Sequence, residues 1–275
     1  MSTVTLRGVN ESPVGAMLRD WRQRRRLSQL DLALEAGVSA RHLSFVETGR
    51  SRPSPEMVVH LAEQLEVPLR DRNRLLLAAG YAPQYAARSL DDPELAPIRD
   101  ALGHVLAGHE PYPAVAIDRR WNLIASNESL GILLDGVAPE LLVPPVNVMR
   151  LALHPDGIAP RIINLAQWRA HLLHRLAQQV ALDGDETMRE LHAELRSYPG
   201  GGEDNPIPHG NDVMVELQLS SDSGPLSFFS TVTTFGTAVD ITVAELSIEA
   251  FFPANAETAA ALQAIREPPL PAARR

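Results

Sequence analysis

The chain has 275 residues, enough for one or two domains with a sizeable core. It contains no cysteine, which excludes disulfides, thiol redox sensing, Cys-ligated zinc and iron–sulfur clusters, and all 25 of its Lys-plus-Arg residues are arginine. The formal charge of −9 is unevenly divided: residues 1–87 hold 12 arginines and 9 acidic residues, net +3, whereas residues 88–275 hold 13 and 25, net −12. Only the first part is therefore suited to a polyanion, and the acidic second part cannot itself lie along phosphate. The stretch Met1–Leu6 lacks the charged start and apolar core of a signal peptide, and no apolar run approaches the roughly 18 residues needed to span a bilayer. These features predict a soluble, cytoplasmic protein.

In chain order, a tail over 1–12 is expected to be disordered. Val14, Met17, Leu18 and Trp21 then recur at helical spacing and predict a first helix. The run QLDLALEAGVSARHLSFVET, Gln29 to Thr48, predicts two helices packed across a tight turn. Ala33 is small where the second helix crosses the first, Gly37 permits the reversal, and Leu32, Ala36, Val38, Leu43 and Val46 form the shared core. Ser28 and Ser39 stand at N-cap positions, with Asp31 completing a capping box. Ser39, Ala40, Arg41, Ser44 and Phe45 are left pointing outward, where a helix-turn-helix would meet DNA. Ser54-Pro55-Glu56 opens a fourth helix to about Leu65, and a fifth runs from about Leu69 to Ala79 before Gly80.

Residues 13–83 thus read as an all-α, phage-repressor-like domain, followed by a proline-broken linker over 84–97. A helix is expected from about Glu94 to Ala107, then a β-hairpin formed by Ala114–Ile117 and Asn122–Ala125 around Asp118-Arg119-Arg120-Trp121, then a helix capped by Asn127. The stretch from Asn147 to Tyr198 is mostly helical, and a glycine-rich loop follows. Three strands are predicted last: Val213–Ser220, Leu226–Phe235, and Val239–Phe252 with a bulge near Ala244-Glu245. Two strands, several helices and three strands is the order of an α+β domain with a five-stranded antiparallel sheet and helices over one face, spanning 98–266. Residues 267–275 form a second disordered tail.

The runs RQRRRLSQLDLALEAGVS and ETGRSRPSPEMVVHLAEQLEV resemble the XRE-type helix-turn-helix family, whose members bind operator DNA, usually as dimers. That resemblance implies phosphate contacts from Gln29 and from the Thr48-Gly49-Arg50-Ser51-Arg52 loop, base-edge contacts from Arg41 with Ala40, Ser44 and Phe45, and an internal ion pair between Arg22 and Glu47. More narrowly, the chain resembles the MmyB-like transcription regulators, which carry a PAS-like ligand-binding domain. The stretches DRRWNLIASN, NVMRLALHPDG and STVTTFGTAVDITVAELSIEAFFPA fit that family. The resemblance extends from about Val14 to Ile265 and implies a small-molecule sensor that acts as a homodimer.

An apolar pocket between sheet and helices is expected, lined from Met149, Leu153, Trp168, Leu172, Leu173, Leu176, Phe228 and Phe235. Its occupant would be a small apolar or acyl-like effector with one polar end, held by Asn127, Arg150, His154 or Asn164. The same residues are also what a plain core would contain, and a pure dimerisation or protein-interaction module is the alternative. His171 and His174 stand at i and i+3, but no His-Glu-x-x-His pattern, phosphate-binding glycine loop or Gly-x-Ser-x-Gly elbow is present. No catalytic constellation, metal site or cofactor is expected.

Overall fold

The computed structural model describes residues 13–183, 185–200, 214–222 and 224–266. Both expected tails lie outside the described residues, as do residues 201–213, on which most of the expected glycine-rich loop and the start of the strand expected from Val213 fall. In chain order the first helices are α1 (Pro13–Arg24), α2 (Gln29–Glu35), α3 (Ala40–Glu47), α4 (Pro55–Gln64), α5 (Leu69–Ala78) and α6 (Ala96–Gly108). They are followed by β1 (Ala114–Ile117), β2 (Leu123–Ser126), α7 (Gly131–Leu134), α8 (Val148–Leu153), α9 (Leu165–Asp183) and α10 (Glu186–Ser197). The last elements are β3 (Leu217–Leu219), β4 (Leu226–Thr234), α11 (Ile241–Ala244), β5 (Ser247–Pro253) and α12 (Ala256–Arg266). Two units result: Met1–Arg88 with Thr237–Ala244, and Ser89–Gly236 with Glu245–Arg275.

In the first unit, helix starts are fixed by side-chain oxygens that take up otherwise unpaired N–H groups. Ser28 accepts from the Asp31 amide while the Asp31 carboxylate accepts from the Ser28 amide, and Ser39 and Ser54 accept from His42 and Met57. Gly37, at φ +62°, turns α2 into α3. Leu18, Trp21, Leu32, Leu43 and Val46 pack with Val58, Leu61, Leu75 and Leu76 from α4 and α5. Gly15 has a separate role, because a Cβ there would stand 2.4 Å from the Val46 carbonyl and 2.7 Å from that of Glu47. α1 therefore meets the end of α3 backbone to backbone.

Glu47 is 0% exposed. Arg22 Nε donates to its Oε1 at 2.7 Å, Arg22 Nη2 to its Oε2 at 2.9 Å, and Gln29 Nε2 to the same Oε2 at 2.7 Å. Arg22 Nη1 also donates to the Leu27 carbonyl at 2.8 Å, which ties the α1–α2 turn into the same cluster.

The first residues of the expected linker pack within this unit. Asn73 on α5 accepts from the Gln84 and Tyr85 amides and donates to the Tyr85 carbonyl. Thr237–Ala244 joins the unit too: Ile241 N–H donates to Ala86, Thr242 Oγ1 donates to the Arg88 carbonyl, and Arg88 pairs with Asp240 at 3.0 Å. This corrects the reading of Val239–Phe252 as one bulged strand. Asp240 accepts from the Thr242 amide at 2.8 Å and starts the helical turn α11, and a strand resumes only at Ser247.

The second unit holds a sheet of order β2-β1-β5-β4-β3 with every neighbour antiparallel, the PAS-like arrangement. Alternation sorts its faces: Val115, Ile117, Phe228 and Phe251 join Met149, Leu153, Trp168, Leu172 and Leu176 in the main core. Ala114, Ala116 and Ile248 point the other way, against Leu102 and Leu106 of α6. Helices thus cover parts of both faces, where the sequence suggested one. On α10, Met188, Leu191 and Leu195 are buried at helical spacing.

Truncation Arg22→Ala leaves the Glu47 carboxylate buried and is expected to cost roughly 3–5 kcal/mol in chemical denaturation. Gly15→Ala should also destabilise, since the added methyl meets rigid backbone. A pH signature is expected from a cluster at α10. The Arg150 guanidinium, with Tyr198, holds Glu194 below the usual carboxylate range, while burial and its bond to Glu194 push Tyr198 up to about 12. The Glu194 contribution is present above the ordinary carboxylate range and lost as pH falls through the depressed value. That of Tyr198 is present below the ordinary phenol value of 10.0 and lost as pH rises towards about 12. Denaturation of wild type, Glu194→Gln and Tyr198→Phe across pH should show the wild-type advantage shrinking at those two ends.

Candidate functional site

On α3, Leu43 and Val46 face inward, Arg41 is exposed, and Phe45 is half-buried. The Arg41 guanidinium lies over the Phe45 ring at 5.3 Å from its centroid, and that of Arg50 lies over the same ring at 5.9 Å. Arg50 is positioned by its amide, which donates to the Phe45 carbonyl at 2.8 Å as the chain leaves the helix. The ring thus carries one cation from the helix and one from the following loop. Ser39 is exposed at the start of the same helix, with Ala40 and Ser44 partly exposed.

Three residues expected at phosphate are engaged within the unit. Gln29 donates to Glu47, and Thr48 Oγ1 donates to the Ser44 carbonyl at 2.6 Å. Arg52 donates through Nε and Nη2 to the Ala79 carbonyl, at 3.2 and 2.8 Å, and covers the Tyr81 ring at 4.9 Å. It therefore closes the C-terminal end of α5, whose last carbonyls need donors.

The second unit contains a cavity between β1, β3 and β5 of the sheet and helices α7–α9. Its volume is about 70 Å³. Its lining is apolar except for Glu249, and includes Val115, Leu130, Met149, Ala152, Ile162 and Phe251. Of the side chains expected there, Met149, Trp168 and Leu172 line it, while Leu153, Leu176 and Phe228 are buried in the surrounding core. Leu173 packs on the edge of that core, and Phe235 lies half-buried beyond the end of β4.

The four polar groups expected to hold a ligand are engaged elsewhere. Asn127 bridges the Ala114 amide and the Tyr112 carbonyl instead of capping a helix, and Asn164 bridges the Glu216 carbonyl and the Gln218 amide. Arg150 forms a two-pronged pair with Glu194, both bonds 2.7 Å. His154 accepts from the Asp156 amide and meets the Tyr198 ring edge-on.

Sequence reasoning missed the polar wall that is present. Glu249 on β5 accepts from Arg175 on α9 and from Ser230 on β4, each at 3.0 Å, and the Arg175 guanidinium lies 4.6 Å from the Trp121 ring. Trp121 is held at φ +66°, an uncommon conformation for so bulky a side chain, and its Nε1 donates to Gln179 at 2.8 Å. Asp118 makes that turn possible by accepting from the Arg120 and Asn122 amides. His171, whose ring is 5.4 Å from that of Trp168, is held below the usual imidazole range by burial and then by Arg175. An isolated Glu among the apolar residues of β5 was the available signal.

Among the described residues, no helix is long and apolar enough to cross a membrane. Residues 18–71 match a helix-turn-helix family, and residues 98–265 match the family described as MmyB-like transcription regulator ligand binding domain. Over 71 residues the chain is 38% identical to the uncharacterized HTH-type transcriptional regulator RghRB of Bacillus subtilis (strain 168), a stretch covering 26% of this chain and 49% of that relative. The chain thus spans about half the length of the curated relative it matches. With more than half of its residues inside the second match, the chain belongs to the MmyB-like transcription regulators, as a helix-turn-helix DNA-binding domain followed by that family's ligand-binding domain.

Proposed function

We propose that the protein reads a pseudo-palindromic operator as a homodimer and that its C-terminal, PAS-like domain senses a small apolar or acyl-like effector. The pair of guanidiniums over Phe45, on the outward side of α3 and within the basic part of the chain, carries the DNA reading. Arginine presents a planar fork of donors matched to guanine O6 and N7, and a phenyl face beside it suits a thymine methyl. One eight-residue helix covers only a short half-site. Two protomers in fixed geometry place two such helices about 34 Å apart.

The effector reading rests on the apolar cavity. The indoles of Trp121 and Trp168 in its wall make its occupancy optically visible.

Arg41→Ala is expected to relax base preference at one position of each half-site by roughly 1–3 kcal/mol. Arg50→Ala should weaken all sequences alike and lower the salt slope by about one ion. Fluorescence anisotropy on specific and scrambled duplexes over a salt series separates the two, and equal effects of Arg41→Ala on both duplexes would sink the base-reading role. Arg52→Ala should instead lower thermal stability, because Ala79 and Tyr81 lose their partner. For the cavity, native mass spectrometry of the purified chain should reveal a small apolar molecule, and Ala152→Phe, which fills the space, should release it. A chain that dimerises but takes up no apolar molecule would favour a purely dimerising domain.

A further inference from the structure

Among the described residues, three other than glycine hold positive φ: Arg26 at +58°, Glu66 at +48° and Trp121 at +66°. Trp121 belongs to the cavity wall, whereas Arg26 and Glu66 each follow the end of a helix. After α1 the Arg26 amide donates to Gln23 at 2.9 Å and the Leu27 amide to Arg22 at 3.1 Å. After α4 the Glu66 amide donates to Glu63 at 2.9 Å and the Val67 amide to Ala62 at 2.8 Å. Glycine is the usual residue in such a turn, because a Cβ is disfavoured there. Arg26 therefore stands against a backbone preference, and residues held that way concentrate at sites of function.

The other arginines around that turn are engaged inside the fold. Arg22 grips Glu47, and Arg24 pairs with Asp20 at 2.6 Å and lies 5.2 Å from the centre of the Trp21 ring. Arg25 donates to the Leu65 and Glu66 carbonyls at 2.9 and 3.0 Å. Arg26 is exposed, and among the described residues its guanidinium has no ion pair, hydrogen bond or ring contact. Glu66 is exposed too but carries the opposite charge, so the cation, and not the turn geometry, is what suits a polyanion. The turn also has a fixed place. The Leu27 carbonyl accepts from the same Arg22 guanidinium that holds Glu47, and Gln29 donates to Glu47 directly. Glu47 is the last residue of α3, and Arg50 follows it by three positions. The α1–α2 turn is thus bonded to the end of the helix at which the exposed Arg50 stands.

A duplex that receives the outward side of α3 presents phosphates to the segments flanking that helix, and contacts to them supply affinity and register without reading sequence. We propose that Arg26 is a phosphate contact, an unpaired cation that the left-handed α1–α2 turn holds beside the end of α3. This rests on the reading of α3 as the DNA-facing helix. It extends the interface from α3 and the Arg50 loop to the turn before α2, and it accounts for a charged side chain where the backbone favours glycine.

The test uses the full chain and two labelled duplexes, one of mixed sequence and one selected by the wild-type chain from a random library. Arg26→Gly is expected to melt no lower than the wild type, since glycine relieves the left-handed turn, yet to bind both duplexes about fivefold more weakly. Its salt slope should fall by about one per protomer, and by about two when combined with Arg50→Ala. Arg26→Lys should restore affinity and slope. Glu66→Gly makes the same backbone change without removing a cation, and should weaken neither duplex.

Wild-type affinity and slope in Arg26→Gly would overturn the inference while leaving α3 as the DNA-facing helix. A loss confined to the selected duplex would overturn it as well, because it would mark a base contact, and so would an equal loss in Glu66→Gly. A wild-type chain with no salt-dependent affinity for either duplex would remove the DNA-facing reading of α3 itself, and the inference with it. Should Arg26→Gly melt below the wild type, the salt slope of Arg26→Gln, which keeps a polar side chain and removes the charge, decides: a fall of about one per protomer supports the contact and no fall overturns it.

Discussion

A carboxylate at an unfavourable end of a helix organises the DNA-binding unit. Glu47 closes α3, where the helix dipole already concentrates negative charge, and it is fully buried. Left alone it would be strongly destabilising, so its environment is constrained: the Arg22 fork supplies two donors, Gln29 a third, and the Arg19 guanidinium stands 3.8 Å away. Those donors come from α1 and from the first residue of α2. Satisfying one carboxylate therefore fixes three helices at once, with Gly15 admitting the close approach that the bonds require. A buried ion pair adds little net stability over apolar packing, but it penalises every arrangement in which it is not formed. That penalty holds α3 at one angle, with Arg41 and Phe45 outward.

The same logic gives a different outcome in the second unit. Glu249 is also a buried carboxylate held by an arginine across helix and strand, but its donors converge on one oxygen. Glu47 is saturated and serves architecture. Glu249 stands in the wall of the cavity and takes both of its bonds on one oxygen. Trp121 links the two aspects of that site, because its positive φ places the indole both in the cavity wall and under Arg175. The strain of that backbone is carried by the Asp118 turn and the bond to Gln179.

What the sequence made legible follows from how local each signal is. The helix starts at Ser28, Ser39 and Ser54 depend on atoms three residues away, and the strands β1, β2 and β4 on alternation within one stretch. These could be read directly. The engagement of Arg52 with Ala79, of Arg150 with Glu194 and of Arg175 with Glu249 depends on partners 27, 44 and 74 residues away. An arginine in a basic loop and an arginine beneath a carbonyl look identical in one dimension, which is why Arg52 resembled a phosphate contact. The misread strand at Val239 fails for a related reason. Ile241 and Val243 alternate as a strand would, but both are buried as part of the first unit, and Asp240 starts a helical turn there.

That segment alters the view of how the two units are joined. The obvious connection runs on from Arg88, and 27 residues separate it from Val115, the first cavity residue in the chain. Thr237–Ala244, however, belongs to the first unit while its flanking strands β4 and β5 build the second. From Ala244 to Glu249 is only five residues, a covalent path of at most roughly 18 Å. Slack cannot be taken up within β5, because Ser247 to Ala250 are paired on one side with β1 and on the other with β4. A one-residue slip there would turn Glu249 out of the cavity and Ile248 into it, at the cost of two ladders. The strand that carries the polar wall of the cavity is thus held in register on both sides.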